Sequence, residues 1–264
     1  MLVSHETPLE LLDISRTYND YDYCLVHLLP LHPKYLEFYK KSGEMGRRIL
    51  LDNSMFELKE AFNADEFAKW VLDIKPTEYI VPDIFSNSKR TIENFENWLN
   101  KYNDLPGKKI GVIQGSTYQE IADCYLYMSE YADKIAISFD NQYLMTTGFT
   151  REKNPTRWHT LMEGRKLLVS NLIIDNVWNF DKPHHLLGCA LPQEFIEYER
   201  MENIESIDTS NPIIAGMHGI RYSETGINDK VPTLLADLIE TKITDKMWED
   251  ISYNIKMFKT INHI

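Results

Sequence analysis

The sequence is short of cysteine, of basic residues and of long apolar runs, and each shortage narrows what the chain can be. Its only cysteines, Cys24, Cys124 and Cys189, lie far apart and form no Cys-x-x-Cys or Cys/His cluster. Neither a disulfide framework nor a zinc knuckle fits that spacing, so three buried, inert thiols are expected. Lysine and arginine number 28 against 40 aspartates and glutamates, a formal net charge of -12. That balance argues against a protein coated in basic surface, while a local basic cleft on an acidic body remains open. No stretch approaches the ~18 apolar residues of a membrane span, and the N-terminus is too polar and acidic for a signal peptide. A soluble, cytoplasmic protein is expected. The chain has no internal repeat, no low-complexity segment and no linker.

What is present is a core-sized share of apolar residues, 43% of 264, enough for one α/β barrel or two smaller domains. Residues 1 to 20 read as an irregular lead-in or a short helix. Strand-like runs follow at 23–29, 48–51, 79–81, 109–113, 134–138, 186–189, 204–207 and 212–217. Between them lie helical stretches at 33–41, 64–74, 88–102, 118–131, 155–174 and 192–201, with two more helices expected over 231–264. In 64–74, Phe67, Trp70, Val71 and Ile74 share one helical face; Ser88 is the expected cap of the helix that follows. Residues 139–154 carry no period. Strand then helix, repeated about eight times, predicts a single-domain (β/α)8 barrel over 1–264, with a doubly wound open sheet as the competitor.

Four of the strand-like runs end in a polar residue followed by turn formers: Asp52 before Asn53-Ser54, Asp83 after Pro82, Gln114 before Gly115, and Asp208 before Thr209-Ser210-Asn211. Each alone is an ordinary turn residue. Together, at equivalent strand ends, they predict one polar site on one end of a barrel. His184-His185 and His218 offer no recognised metal spacing, so no metal and no cofactor are expected.

These segments resemble a family. Asp52-Asn53-Ser54-Met55-Phe56-Glu57 is similar to the Asp-Ser-Gly-Gly-Phe-Gln segment of the queuine tRNA-ribosyltransferases, or tRNA-guanine transglycosylases. Gly111-Val112-Ile113-Gln114-Gly115-Ser116-Thr117-Tyr118 resembles that family's Gly-hydrophobic-Val-Gln-Gly-Gly-x-Tyr stretch, and Leu186 to Pro192 its Leu-Met-Gly-Val-Gly-x-Pro stretch. Ser206-Ile207-Asp208 falls where the family places its nucleophilic aspartate. The family's C-terminal zinc subdomain is missing, since the last cysteine is Cys189, and Ile137-Ser138-Phe139-Asp140 replaces a Gly-Gly-Leu stretch that contacts the base. Short, zinc-free members resemble the bacteriophage-encoded transglycosylases that put 7-deazaguanine bases into DNA.

The resemblance implies a pentosyltransferase that exchanges guanine in DNA for a 7-cyano- or 7-aminomethyl-7-deazaguanine. Asp208 would be the nucleophile and Asp52 the group that moves the proton. Asp83 and Gln114 would hold the edge of the base, the Gly115 N–H its O6, and Phe56 its face. Phosphate contacts would come from Arg151, Lys153, Arg157, Lys89, Arg90 and Arg221. Three other readings stay open: the same chemistry on tRNA, a non-catalytic nucleic-acid-binding barrel, and a metal-dependent barrel hydrolase.

Overall fold

The computed structural model describes residues 1–147 and 156–264. Eight parallel strands form one sheet: β1 (Leu2–His5), β2 (Asp22–Leu25), β3 (Ile49–Asp52), β4 (Glu78–Ile80), β5 (Lys108–Val112), β6 (Lys134–Ser138), β7 (His184–Leu187) and β8 (Ile204–Thr209). The order β1-β8-β7-β6-β5-β4-β3-β2 runs once around a nearly closed barrel. Its helices are α1 (Leu12–Ser15), α2 (Pro33–Glu44), α3 (Met55–Leu58), α4 (Ala64–Ile74), α5 (Ser88–Tyr102), α6 (Tyr118–Tyr131), α7 (Gln142–Thr146), α8 (Arg157–Ile174), α9 (Asn211–Met217) and α10 (Asp245–Asn262). The expected (β/α)8 architecture is present.

The seam between β1 and β2 is stitched by side chains instead of a strand ladder. Val3 N–H donates to Asp20 Oδ2 at 2.8 Å, His5 N–H to Asn19 Oδ1 at 2.7 Å, and Tyr23 N–H to Ser4 Oγ at 3.2 Å. The Tyr21 hydroxyl reaches across to the Ile207 carbonyl at 2.6 Å. At the N-terminal mouth, Lys134 Nζ lies 2.7 Å from Glu78 and 2.8 Å from Glu205, and Arg48 pairs with Glu78 at 2.5 Å. These residues come from strands on different sides of the barrel, so the cluster plugs that end and leaves the other end for a site.

Local chemistry places the helices. Thr117 and Glu120 form a capping box on α6. Asn63 caps α4 by accepting from Glu66 N–H, and Lys75 closes it in the left-handed conformation. Asn87, one residue before the expected Ser88, caps α5.

Three expectations are overturned. The lead-in contains β1; Leu2–His5 holds only two apolar residues, and its ladder to β8 supplies what apolar pattern does not. Residues 212–217 are helix α9 and not the eighth strand. A short apolar run does not separate a buried strand from a buried helix, and Pro212 in the first turn suits the helix. The two helices expected over 231–264 reduce to a 3-10 turn, Leu235–Leu238, and α10. Residues 231–234 carry no helix and lie along the cavity described next. Among the described residues no helix is long and apolar enough to cross a membrane.

Candidate active site

Alternation along the strands sends every second side chain inward. At the C-terminal end of the barrel this brings Tyr23 from β2, Asp52 from β3, Ser138 from β6, Leu187 from β7 and Asp208 from β8 to one cavity of about 180 Å³. A cavity of ~150 Å³ takes a benzene ring, so the space suits a planar ring ligand. Asp83, Gln114 and Phe56 also line it. Three of the four polar strand-end residues are thus carboxylates in one site, and the fourth is the amide beside them.

Asp208 sits in β8 with its carboxylate almost wholly buried. Its Oδ1 accepts the Gly188 N–H at 3.0 Å and faces His185 Nε2 at 2.9 Å. Among the described residues nothing bonds its Oδ2. Gly188 is held left-handed at φ 68°, and a Cβ there would lie 2.4 Å from the Phe139 ring. Glycine at this position lets the backbone N–H reach Asp208.

Asp52 Oδ2 accepts the Ser54 N–H at 2.7 Å, and Asn53 Oδ1 accepts the Met55 N–H at 2.9 Å. Ser54 itself has φ 57°, a left-handed turn that aims the following α3 across the cavity. Burial raises the Asp52 carboxyl well above the usual aspartate range, the charges of Glu57 and Asp208 add to this, and the Ser54 amide and Tyr23 hydroxyl oppose it. Burial and the neighbouring charges thus favour the protonated form of Asp52.

Asp83 and Gln114 are already engaged with each other. Gln114 Nε2 donates to Asp83 Oδ2 at 2.7 Å, and Asn53 Nδ2 donates to Asp83 Oδ1 at 2.8 Å. Gln114 Oε1 accepts from Ser86 N–H at 2.9 Å and from Asn141 Nδ2 at 3.2 Å. Burial raises the Asp83 carboxyl, against these two amide donors. Phe56 packs its ring 5.3 Å from Phe139, and Lys59 Nζ lies 3.9 Å from the centre of the Phe56 ring. Gly115 is not in the lining. A Cβ there would lie 2.8 Å from the Ile121 nitrogen, so its role is close contact with the start of α6.

Four lining groups were not singled out from the sequence. Glu6 follows β1 and was hidden because that segment lacks a strand pattern; burial and then the charges of Asp208, Glu57 and Asp52 raise its carboxyl well above normal. Glu57, quoted only as the end of the first motif, has a buried Oε2 with no hydrogen-bond partner among the described residues. Burial pushes its carboxyl up to about 7. Lys230, on an irregular segment, donates to the Cys189 carbonyl at 2.7 Å and lies 4.5 Å over the Phe139 ring. Burial lowers its pKa. Tyr23 stands between Asp52 and His185; its only sequence signal was its place in a strand. The site thus sets carboxyl groups whose pKa values are pushed upward, Glu6, Asp52 and Glu57, beside Asp208, the kind of arrangement in which one carboxyl donates while another attacks.

The expected cations are scattered. Arg157 is outside the cavity lining; its guanidinium lies 3.0 Å from both oxygens of Asp140, which does line it, and it borders an adjoining groove with Lys59, Phe85 and Met145. Lys89 and Arg90 are exposed in the first turn of α5. Arg221 is outside the lining and is neutralised by Glu249 and Asp250 of α10, each at 2.5 Å. Arg151 and Lys153 lie outside the described residues. Among the described residues no group of three or more histidine, cysteine or acidic side chains is arranged to hold a metal ion. All three cysteines are buried, and burial pushes the Cys124 and Cys189 thiols up to about 12.

The chain matches no protein-family model and no curated protein.

Proposed function

We propose that the protein is a transglycosylase acting on DNA, exchanging a target guanine for a 7-deazaguanine base in the cytoplasm of the cell that holds it. One observation carries this reading: Asp208 and Asp52, the two residues that the motif resemblance makes catalytic, line a single cavity with Asp83, Gln114 and Phe56. Two local features support it. Ser54 stands at the first glycine of the resembling motif and keeps a left-handed φ of 57°. Gly188 stands at the glycine of another, with the N–H it exposes bonded to Asp208.

In this reading the target nucleotide leaves the base stack and enters the cavity. Asp208 Oδ2 attacks C1′ as the bond from C1′ to guanine N9 breaks. Asp52 gives its proton to the departing base. The incoming base then attacks C1′, the bond between C1′ and Asp208 Oδ2 breaks, and the N9 proton returns to Asp52. Configuration is retained because two displacements occur, as in the two-carboxylate glycosidases. Asp83 accepts from the guanine N1–H and N2–H, exchanging its bond to Gln114 for bonds to the base, and Gln114 both donates and accepts. Phe56 covers the ring. Arg157, Lys89 and Arg90 are the described cations available to the strand.

The test is exchange of labelled guanine into DNA, single-stranded and duplex, beside tRNA, with Asp208→Ala and Asp52→Asn in parallel. Label entering DNA and lost with Asp208→Ala supports the reading. Label entering only tRNA keeps the chemistry and changes the substrate. Binding of both nucleic acids with no label in either contradicts it.

A further inference from the structure

The pair His184-His185 is unused by the chemistry above, and the barrel separates its two rings. His184 points outward, stacked on Trp178 with ring centroids 3.9 Å apart, its Nε2 2.8 Å from the Tyr125 hydroxyl. Its role is packing. His185 points inward and is fully buried. Its Nε2 lies 2.9 Å from Asp208 Oδ1, its Nδ1 lies 3.0 Å from Ser206 Oγ, and its ring stacks on Tyr23 at 6.3 Å.

The direction of these bonds follows from what each atom can do. An ionised carboxylate only accepts, so Nε2 carries the hydrogen; in a neutral ring Nδ1 is then the acceptor and takes the Ser206 hydroxyl. Two N–H groups, from His185 and Gly188, therefore converge on Oδ1, and among the described residues none bonds Oδ2 of this cavity-lining aspartate.

We propose that His185 is a positioning residue that governs the second half of the reaction, with Ser206 fixing its tautomer. The inference rests on Asp208 as the nucleophile. When Oδ2 bonds to C1′, Asp208 becomes a neutral ester and Oδ1 its carbonyl. When the incoming base displaces that ester, both electrons of the C1′–Oδ2 bond return to the carboxylate. Negative charge develops across Oδ1 and Oδ2, and the Nε2–H bond to Oδ1 strengthens as it does. The same bond stabilises the free carboxylate before attack. Losing it raises the energy of the ionised form and favours the ester. A merely structural histidine would slow both halves together.

The experiment compares full-length wild type, His185→Gln and His185→Phe on mixed-sequence DNA. It reads the rate of labelled-guanine exchange and the fraction of protein in a denaturation-resistant DNA adduct when no free base is added. His185→Phe is expected to lose about tenfold or more in exchange, the scale of one charge-assisted hydrogen bond, while its adduct fraction rises and the KM for the base is unchanged. His185→Gln, whose amide can donate to Oδ1 and accept from Ser206, is expected to stay near wild type in both readouts and in melting temperature. Exchange and adduct falling in proportion in both variants, or neither changing in His185→Phe, would overturn the inference while leaving Asp208 in place. A wild-type protein that forms no adduct and exchanges no base on this DNA or on tRNA run beside it removes the Asp208 reading and this inference with it.

Discussion

The Gly188 N–H donates to Asp208 Oδ1 at 3.0 Å from a residue held at φ 68° against the Phe139 ring. The bond joins the end of β7 to the inward face of β8, and it depends on the absence of a side chain. Gly188→Ala adds a left-handed alanine and a methyl group 2.4 Å from Phe139. Strain and overpacking together are expected to cost roughly 2–4 kcal/mol. Thermal melts measure that loss. Base exchange is expected to fall further than the folded fraction does, because Phe139 and Asp208 both move.

Glu57 makes stability depend on pH in a stated direction. Burial raises its carboxyl from the ordinary 4.5 to about 7 in the folded protein. As pH rises through that window the unfolded chain releases the proton first, so stability falls; below the unfolded value no penalty remains. Glu57→Gln removes the titration. The variant is expected to melt higher than wild type at pH 8, by on the order of 1–3 kcal/mol, and to match it near pH 4. Melts at the two pH values check this; equal differences at both would contradict it.

Arg165 and Glu194 are fully buried and paired at 2.6 Å, and the guanidinium also donates to the carbonyls of Ile137, Leu187 and Gly188. One side chain thus ties the ends of β6 and β7 beneath the cavity. Arg165→Met leaves the Glu194 charge without its cation and removes the guanidinium's bonds to three carbonyls, and is expected to cost about 3–5 kcal/mol. Arg165→Met with Glu194→Leu is expected to recover part of that. Denaturant titration of the two variants measures the difference.

Much of the barrel was legible because its strands are buried apolar runs and its helices carry caps and periodic faces, as in Ala64–Ile74. The failures have physical causes. β1 carries Ser4 and His5, and its place is set by ladder bonds to β8 that no local pattern records. Pro212–Met217 is apolar on every side because α9 is packed between the barrel and α10, so its helical period is erased. Asp52, Asp83, Gln114 and Asp208 were legible as strand ends, and their convergence follows from the barrel. Glu6 was lost with β1. Lys230 reaches the site from a stretch with no period, and only the tertiary fold brings it there. His185 was visible as a residue but not as a partner, since 23 positions separate it from Asp208.

The central claim is that Asp208 forms a bond to the sugar. The direct measurement is mass spectrometry of the protein denatured and digested after incubation with guanine-containing DNA, on wild type and Asp208→Asn. The account predicts a nucleotide adduct on the peptide carrying Asp208 in the wild type and none in Asp208→Asn. An adduct on another residue, or exchange that persists in Asp208→Asn, would contradict it.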